Sequence, residues 1–442
     1  MSYEEFLARK AISHQATGIA EPPEPSPLLK PFQRDVTRWA LQKGRAATFL
    51  DCGLGKSWIA IDWARVVSEH TGKPVLILTP LAVAQQFVRE GSKMGYAVTD
   101  AREPSATREW WAPVPWVANY DSLHKLERMV PQLGGVVLDE SSILKAYDGK
   151  TRTQLIETFR QVPFRLCCTA TPSPNDPVEL GNHAEFLGVM RHVDMLNRFF
   201  EHDAGDTGTW VLKGHARRPF WRWVSSWAVC MNKPSDMGYS DEGYDLPALD
   251  LHEHVVDVDQ HMARKAGMLF AYEATTLSEQ REVRRSSIAE RVLRAEGIIR
   301  SSEGEQWLVW AQLNDESQAL AKAIDGAVEV SGSDKVEVKE QRIIDFLDGR
   351  TRVLVTKPSI LSWGLNAQCC ARQLFVGADH SFEQFYQAVR RSWRFGQTRP
   401  VHVHMVRTSA DGRIIDNLRR KQQEFQQMHR ELADAVNGRM CA

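Results

Sequence analysis

The stretch FLDCGLGKS, residues 49–57, couples an apolar run, AATFL at 46–50, to SWIAIDWARVVSEH at 57–70, whose apolar residues recur at helical spacing. A strand that enters a glycine turn and leaves as a helix can wrap a polyphosphate. Gly53 and Gly55, with Leu54 between them, would let backbone N–H groups close in, and the helix N-terminus adds partial positive charge. Lys56 would reach the β- and γ-phosphates and Ser57 would hold Mg2+. Leu50 breaks the full G-x-x-x-x-G-K-[ST] pattern, and a bare G-K-S also fits a strand–helix turn with a glycine bend.

Outward from this loop the alternation continues. PVLILTP (74–80), GGVVLDE (134–140) and RLCCTATP (165–172) read as strands, and FQRDVTRWALQKG (32–44) and LAVAQQFVREGSKMG (81–95) as helices. Short apolar strands alternating with helices predict an α/β domain with a parallel sheet covered on both faces. Within VVLDESS (136–142), Asp139 and Glu140 arrive at a strand's C-terminal end, where ligands sit in such sheets. Asp139 can hold Mg2+ through water, and Glu140 can orient and deprotonate an attacking water. A lone Asp-Glu also fits a solvated turn, so the pair gains meaning from lying downstream of the phosphate loop.

The chain has 442 residues, enough for two or three cores. Its first thirty residues, with the proline-rich EPPEPSP (21–27) near their end, read as a tether. Residues 31–245 form the first predicted domain, with a tryptophan-rich insertion at about 181–245 that ends in the linker-like GYSDEGYDLP (238–247). From 246 to 442 the α/β pattern resumes, with strands in QWLVWAQ, AVEVSG, TRVLVT, RQLFVGA and VHVHMVRT. It ends in a long helix, from Gly412 to about Val436, expected to pack on this second domain through Ile415, Leu418, Phe425, Met428 and Leu432. A net charge of −1 gives no global pull toward nucleic acid, so any basic surface must be local. Residues 381–421 hold nine basic and three acidic residues, a local excess that suits a polyanion. KGHARRPFWRW (213–223) interleaves Arg218 with Trp221 and its neighbours, a pattern for backbone grip and base stacking or for a small aromatic core. The seven cysteines, two vicinal pairs among them, show no C-x-x-C, which points to a reducing compartment rather than a disulfide or zinc framework. The vicinal pairs are expected in buried strands. No apolar run is long enough to span a membrane, and MSYEEFLARK does not read as a secretory signal.

Taken in order, the motifs resemble helicase superfamily two, most closely its Swi/Snf-like branch in the compact form of bacteria and phages. KPFQ (30–33) is similar to the element before the phosphate loop, where Gln33 would read adenine. DCGLGKS resembles motif I, LTPLAVAQQF motif Ia, LDESS motif II and TATPSPND (169–176) motif III. EQWLVWAQ (305–312) resembles motif IV, RVLVTKPSILSWGLNAQ (352–368) motif V with Gly364 and Asn366 in place, and QAVRRSWRFGQ (387–397) the Q-A-x-x-R-x-x-R-x-G-Q of motif VI.

The resemblance implies two tandem RecA-like domains with an ATP cleft between them. It implies ATP and Mg2+ as cofactors, Gly364 and Gln387 beside the nucleotide, and Arg391 and Arg394 as arginine fingers. Placed on a helix, these two arginines would share a face. Thr79, Pro80, Thr171 and Thr356 would lie along DNA, and Trp363 could stack or pack; His380 reads as structural. The implied activity is an ATP-dependent DNA translocase or helicase, duplex DNA favoured, in the cytoplasm of a bacterial or phage-infected cell. Sequence specificity would be absent or supplied by a partner protein. Alternatives are a strand-separating DNA or RNA helicase, a non-motor P-loop switch or clamp, and an inactive DNA-binding scaffold; intact Lys56, Glu140, Arg391 and Arg394 speak against the last.

Overall fold

Short runs rich in Val, Ile, Leu and Phe become most of the fifteen strands among the described residues of the computed structural model. The structure describes residues 14–80, 83–101, 112–145, 149–173, 176–203, 205, 208–256, 285–361, 366–377 and 381–440. Gly364, Trp363 and His380 lie outside them.

The chain divides into two compact units, Met1–Glu242 with Glu424–Ala442, and Gly243–Gln423. In the first, the strands are β1 (Arg45–Leu50), β2 (Val75–Thr79), β3 (Thr99–Asp100), β4 (Pro115–Asn119), β5 (Gly135–Asp139) and β6 (Phe164–Thr169), with a small hairpin β7 (Phe200–His202) and β8 (Trp210–Leu212), and then β9 (Ala228–Met231). Seven of them form a parallel sheet in the order β3-β4-β2-β5-β6-β1-β9. β2, β4, β5, β6 and β9 are buried throughout, as expected of strands covered on both faces. Trp63, Val67 and Ile61 of the helix Lys56–Thr71 fill the core on one side.

The second unit carries β10 (Leu249–Val256), β11 (Trp307–Ala311), β12 (Ala327–Val330), β13 (Val353–Thr356), β14 (Arg372–Val376) and β15 (Val401–Thr408). They form a second parallel sheet, β10-β15-β14-β11-β13-β12. Two parallel sheets flanked by helices are the tandem RecA-like domains that the motif order implied.

Four expectations change. Residues 17–29 are not a tether: Ile19 and Leu29 are buried, Ile19 N–H donates to Leu41 O, and Ser26 N–H donates to the buried Asp62 carboxylate at 2.9 Å. Proline removes donors and bars helix, but it does not stop an extended segment from docking. The tryptophan-rich stretch is not simply an insertion, because β9 returns to pair with β1. The final helix, Gly412–Met440, is not wholly a second-domain element, since from Glu424 onward it groups with the first unit, where Glu431 pairs with Arg217. Of the vicinal cysteines, Cys167 and Cys168 lie buried in β6, whereas Cys369 and Cys370 precede β14 in a turn and only Cys370 is buried.

Inside the second unit Arg291 and Glu316 form an ion pair at 2.5 Å with both side chains essentially dry. Glu316 also accepts from Gln312 N–H at 2.8 Å, which caps the helix Asn314–Ala323. Glu316→Ala leaves a buried guanidinium without its anion, and should lower the unfolding free energy by about 3–5 kcal/mol in urea titrations.

β10 also lays His252 and His254 against His402 and His404 of β15, with the His254 and His404 rings nearly coplanar in orientation and 5.2 Å apart. Burial, with His252, His254, Arg372 and His402 nearby, lowers the His404 pKa from 6.5 to about 3. Burial, then Arg294 and His252, lowers that of His254. A base held neutral in the fold binds more protons when unfolded, so its stabilising contribution is whole above about 6.5 and falls as pH drops toward 3. Urea midpoints should therefore be lower at pH 5 than at pH 7.5, with a smaller drop in His404→Asn.

Candidate nucleotide site

Parallel pairing brings the C-terminal ends of β1, β6 and β5 to one edge. Phe49 is in register with Thr169, and Cys168 with Asp139, so the phosphate loop and Asp139–Glu140 sit at the same end with β6 between their strands. This is the edge at which open α/β sheets bind ligands.

The loop takes the form its glycines permit. Gly53 and Gly55 have φ of 92° and 81°, and Gly55 caps the helix that Lys56 begins. A Cβ on Gly55 would stand 2.2 Å from Gln33 Nε2. Gln33 is itself a brace: its Oε1 accepts from Lys30 N–H and its Nε2 donates to Leu54 O, both at 2.9 Å. Its amide thus ties the element before the loop to the loop itself, a role its motif position did not reveal. Lys56 Nζ donates to Leu50 O at 2.9 Å, which holds the ammonium across the mouth of the loop. Ser57 is partly exposed on the first turn of the helix.

Asp139 ends β5 and is 5% exposed. Glu140 follows at φ 54°, ψ 54°, the one non-glycine residue with positive φ among those described. That conformation costs about 1–2 kcal/mol for a residue with a Cβ, so neighbours must hold it. Thr169 Oγ1 donates to Glu140 Oε2 at 3.3 Å and accepts from Thr171 N–H at 3.1 Å. The Thr-Ala-Thr segment that begins at the last residue of β6 thereby touches the carboxylate directly. Tyr120 OH donates to Asp139 O at 2.7 Å, and burial, with the Asp139 carboxylate near, raises its phenol pKa well above the usual value, so it stays a donor. Thr169 and Tyr120 were missed in the sequence because contact across strands leaves no mark in spacing along the chain.

In the second unit the arginines depart from the helical picture. The helix Phe382–Val389 ends before both, and Arg391 and Arg394 occupy the turns that follow. Arg391 is 6% exposed, and its Nε and Nη2 donate to Gln387 O and Oε1 at 3.0 and 2.9 Å. Gln387 is wholly buried, while Arg394 is partly exposed. Gly396 (φ 87°) and Gln397 set this turn: Gln397 Nε2 donates to Gln368 O at 3.0 Å, and its Oε1 accepts from Thr398 and Arg399 N–H. The Gly-Gln end of the motif is thus a turn device. Asn366 is exposed.

Several residues expected along DNA do not present their side chains. Thr79, Thr171 and Thr356 are fully buried, and the Thr79 and Thr356 hydroxyls donate to Pro80 O and Val330 O. Each ends or follows a strand whose two faces are covered, so only backbone is offered there. Pro80 is partly exposed. Trp221 is 5% exposed and packs on Phe220 at 4.9 Å between ring centroids, so most of its ring serves the aromatic core with Trp223 and Phe199, and only its rim lines a surface cleft. Arg218 is exposed and lines a cleft of about 500 Å³ with Arg217, Arg222, Glu431 and Asp434.

No family model matches the sequence, and no curated protein matches it. Among solved structures the chain is similar to the Sulfolobus solfataricus SWI2/SNF2 ATPase core in complex with dsDNA, at 18% identity over 88% of this chain and 89% of that one, with a TM-score of 0.44. It is also similar to the Pyrococcus furiosus Hef helicase domain, at 13% identity over 86% and 96%, with a TM-score of 0.49. At these identities the likeness is one of fold.

Gly55→Ala places a Cβ against Gln33 in a left-handed conformation. It should cost more in urea titrations than alanine at the exposed Gly72, where nothing lies within 4 Å and only the left-handed penalty of about 1–2 kcal/mol should be lost.

Proposed function

We propose that this protein is an ATP hydrolase that uses nucleotide turnover to move along DNA, preferentially duplex. The observation that carries the reading is the joint end of β1, β6 and β5: two left-handed glycines and Lys56 at one strand end, and Asp139 and Glu140 in register two strands away. The glycine cradle fits a polyphosphate because it leaves no room for a side chain at Gly55 and offers backbone N–H groups ahead of a sixteen-residue helix.

In this reading the N–H groups of residues 53–57 bind the phosphates. Lys56 leaves Leu50 O to reach the β- and γ-oxygens. Gln33, whose amide now braces the loop, is the adenine-facing residue. Glu140 accepts the proton of the attacking water, and Thr169 orients that carboxylate. Mg2+, held by Ser57 and Asp139, would neutralise charge on the β- and γ-oxygens. Arg394 and Arg391 supply guanidinium charge to the transferring phosphoryl group, Arg391 after exchanging its bonds to Gln387, with Gly364 and Gln387 beside the nucleotide. DNA is gripped by backbone groups after Thr79, Pro80, Thr171 and Thr356 and by basic residues such as Arg218, without base readout. Sequence selection then falls to a partner protein.

ATP hydrolysis by the purified chain should rise with duplex DNA and fall as salt increases. Lys56→Ala should abolish turnover, and Arg394→Ala should reduce it by roughly 10³-fold. Full activity in both variants would refute the site, and a rate indifferent to any nucleic acid would favour the switch or clamp. Displacement of a triplex-forming strand without separation of a duplex would mark a translocase; duplex separation would mark a helicase.

A further inference from the structure

We propose that Asn182 and His183 are positioning residues for Glu140, a latch from the helix Leu180–Leu187 that holds the Glu140 backbone in its left-handed conformation. The proposal rests on the reading of Glu140 as the base in ATP hydrolysis.

The turn that follows Glu140, Ser141–Leu144, is gripped at both ends from this one helix. At its start, Ser141 Oγ and His183 Nε2 are 3.1 Å apart. At its close, Asn182 Nδ2 donates to Leu144 O at 2.8 Å and to Lys145 O at 3.1 Å. Asn182, His183, Ser141 and Leu144 are all wholly buried, so water cannot replace these bonds. The latch is fixed in turn. Asn182 Oδ1 accepts from Arg152 Nε at 3.1 Å, and Arg152 also pairs with Glu185. The His183 ring meets Phe49 edge-on at 5.3 Å, so the residue that holds the Glu140 turn also packs on the strand that feeds the phosphate loop. Burial keeps His183 neutral, with its pKa near 4 despite the Glu179 and Ser141 backbone nearby, and the contact with Ser141 therefore persists across the neutral range.

Glu140 has no glycine freedom, yet its carboxylate direction depends on its φ and ψ. With the latch cut, the backbone is free to return toward the ordinary right-handed region, and the carboxylate swings away from Thr169. The phosphate loop follows β1 and this turn follows β5, so the bond between Ser141 and His183 holds no residue of the loop itself. The signature of a positioning role is therefore a loss in kcat without a change in KM.

The test compares Ser141→Ala, His183→Leu, His183→Gln and the Ser141→Ala/His183→Leu double variant in DNA-stimulated ATP hydrolysis, with amide hydrogen exchange across residues 140–145. Each of the first two should lower kcat by roughly 10- to 100-fold with KM for ATP unchanged, the range expected for a misplaced catalytic group. His183→Gln, whose amide can still reach Ser141, should recover most of the rate. The double variant should lose less than the two single losses combined, because the contact between Ser141 and His183 is lost in all three. Exchange at 140–145 should quicken in the Leu and Ala variants. Ser141→Ala removes a single oxygen, so it keeps the test valid even where His183→Leu folds poorly. Unchanged kcat and exchange in folded variants, additive losses, or a raised KM alone would overturn the latch. Absence of ATP hydrolysis in the unmodified chain would sink the ATPase reading instead, and the exchange measurement would still decide whether the latch holds the turn.

Discussion

A parallel sheet ends its strands on alternating connections that all leave from the same edge, and the first unit depends on that constraint. Register alone sets Phe49 beside Thr169 and Cys168 beside Asp139, so residues far apart in the chain share one edge. The peptide groups at that edge must turn sharply, and the turns are made by residues in left-handed conformations: Gly53 and Gly55 after β1, and Glu140 after β5. Glycine does this freely; glutamate does not. The surroundings of Glu140 accordingly carry buried polar contacts from Thr169, Ser141, Asn182 and His183.

The second unit solves a similar problem by a different device. The chain after the helix Phe382–Val389 must turn at once, and Gly396 with the amide of Gln397 closes that turn on Gln368 and on its own backbone. Gln373 bridges Trp310 Nε1 and Val389 O, at 2.9 and 3.0 Å, and so fixes the end of the helix to the sheet. Arg390 lies over the Trp393 ring at 5.0 Å, and Trp393 donates to Pro247 O at 2.7 Å. The arginine-rich motif is thus held by its glutamines, glycine and tryptophan, and its three arginines end in three environments: one over an aromatic ring, one on Gln387 and one half in solvent.

The strands were legible where they are buried on both faces, because continuous apolar runs such as VLILT and GVVLD leave little else to choose. β10 was not read as a strand: LDLHEHVV alternates polar residues along an edge, and its partner β15 follows some 150 residues later. Docking of residues 17–29 was illegible for a related reason, since a proline-rich segment announces what it cannot form and not where it lies. Trp221 and the three threonines show the same limit at the site. Residue type suggested surface contact, while burial depends on what packs above, which no local pattern records.

The sequence by itself determined the alternation of strand and helix, the phosphate loop with its obligatory glycines, and the order of motifs, because each is written in contiguous residues whose backbone freedom and polarity are local properties. Only the tertiary structure decided that Glu140 stands in a left-handed turn, that Thr169, Asn182 and His183 hold it, that Arg391 lies buried on Gln387, and that β9 returns to flank β1. Those outcomes arise from register and packing between segments far apart in the chain, where the energy of a contact depends on the partner rather than on the residue.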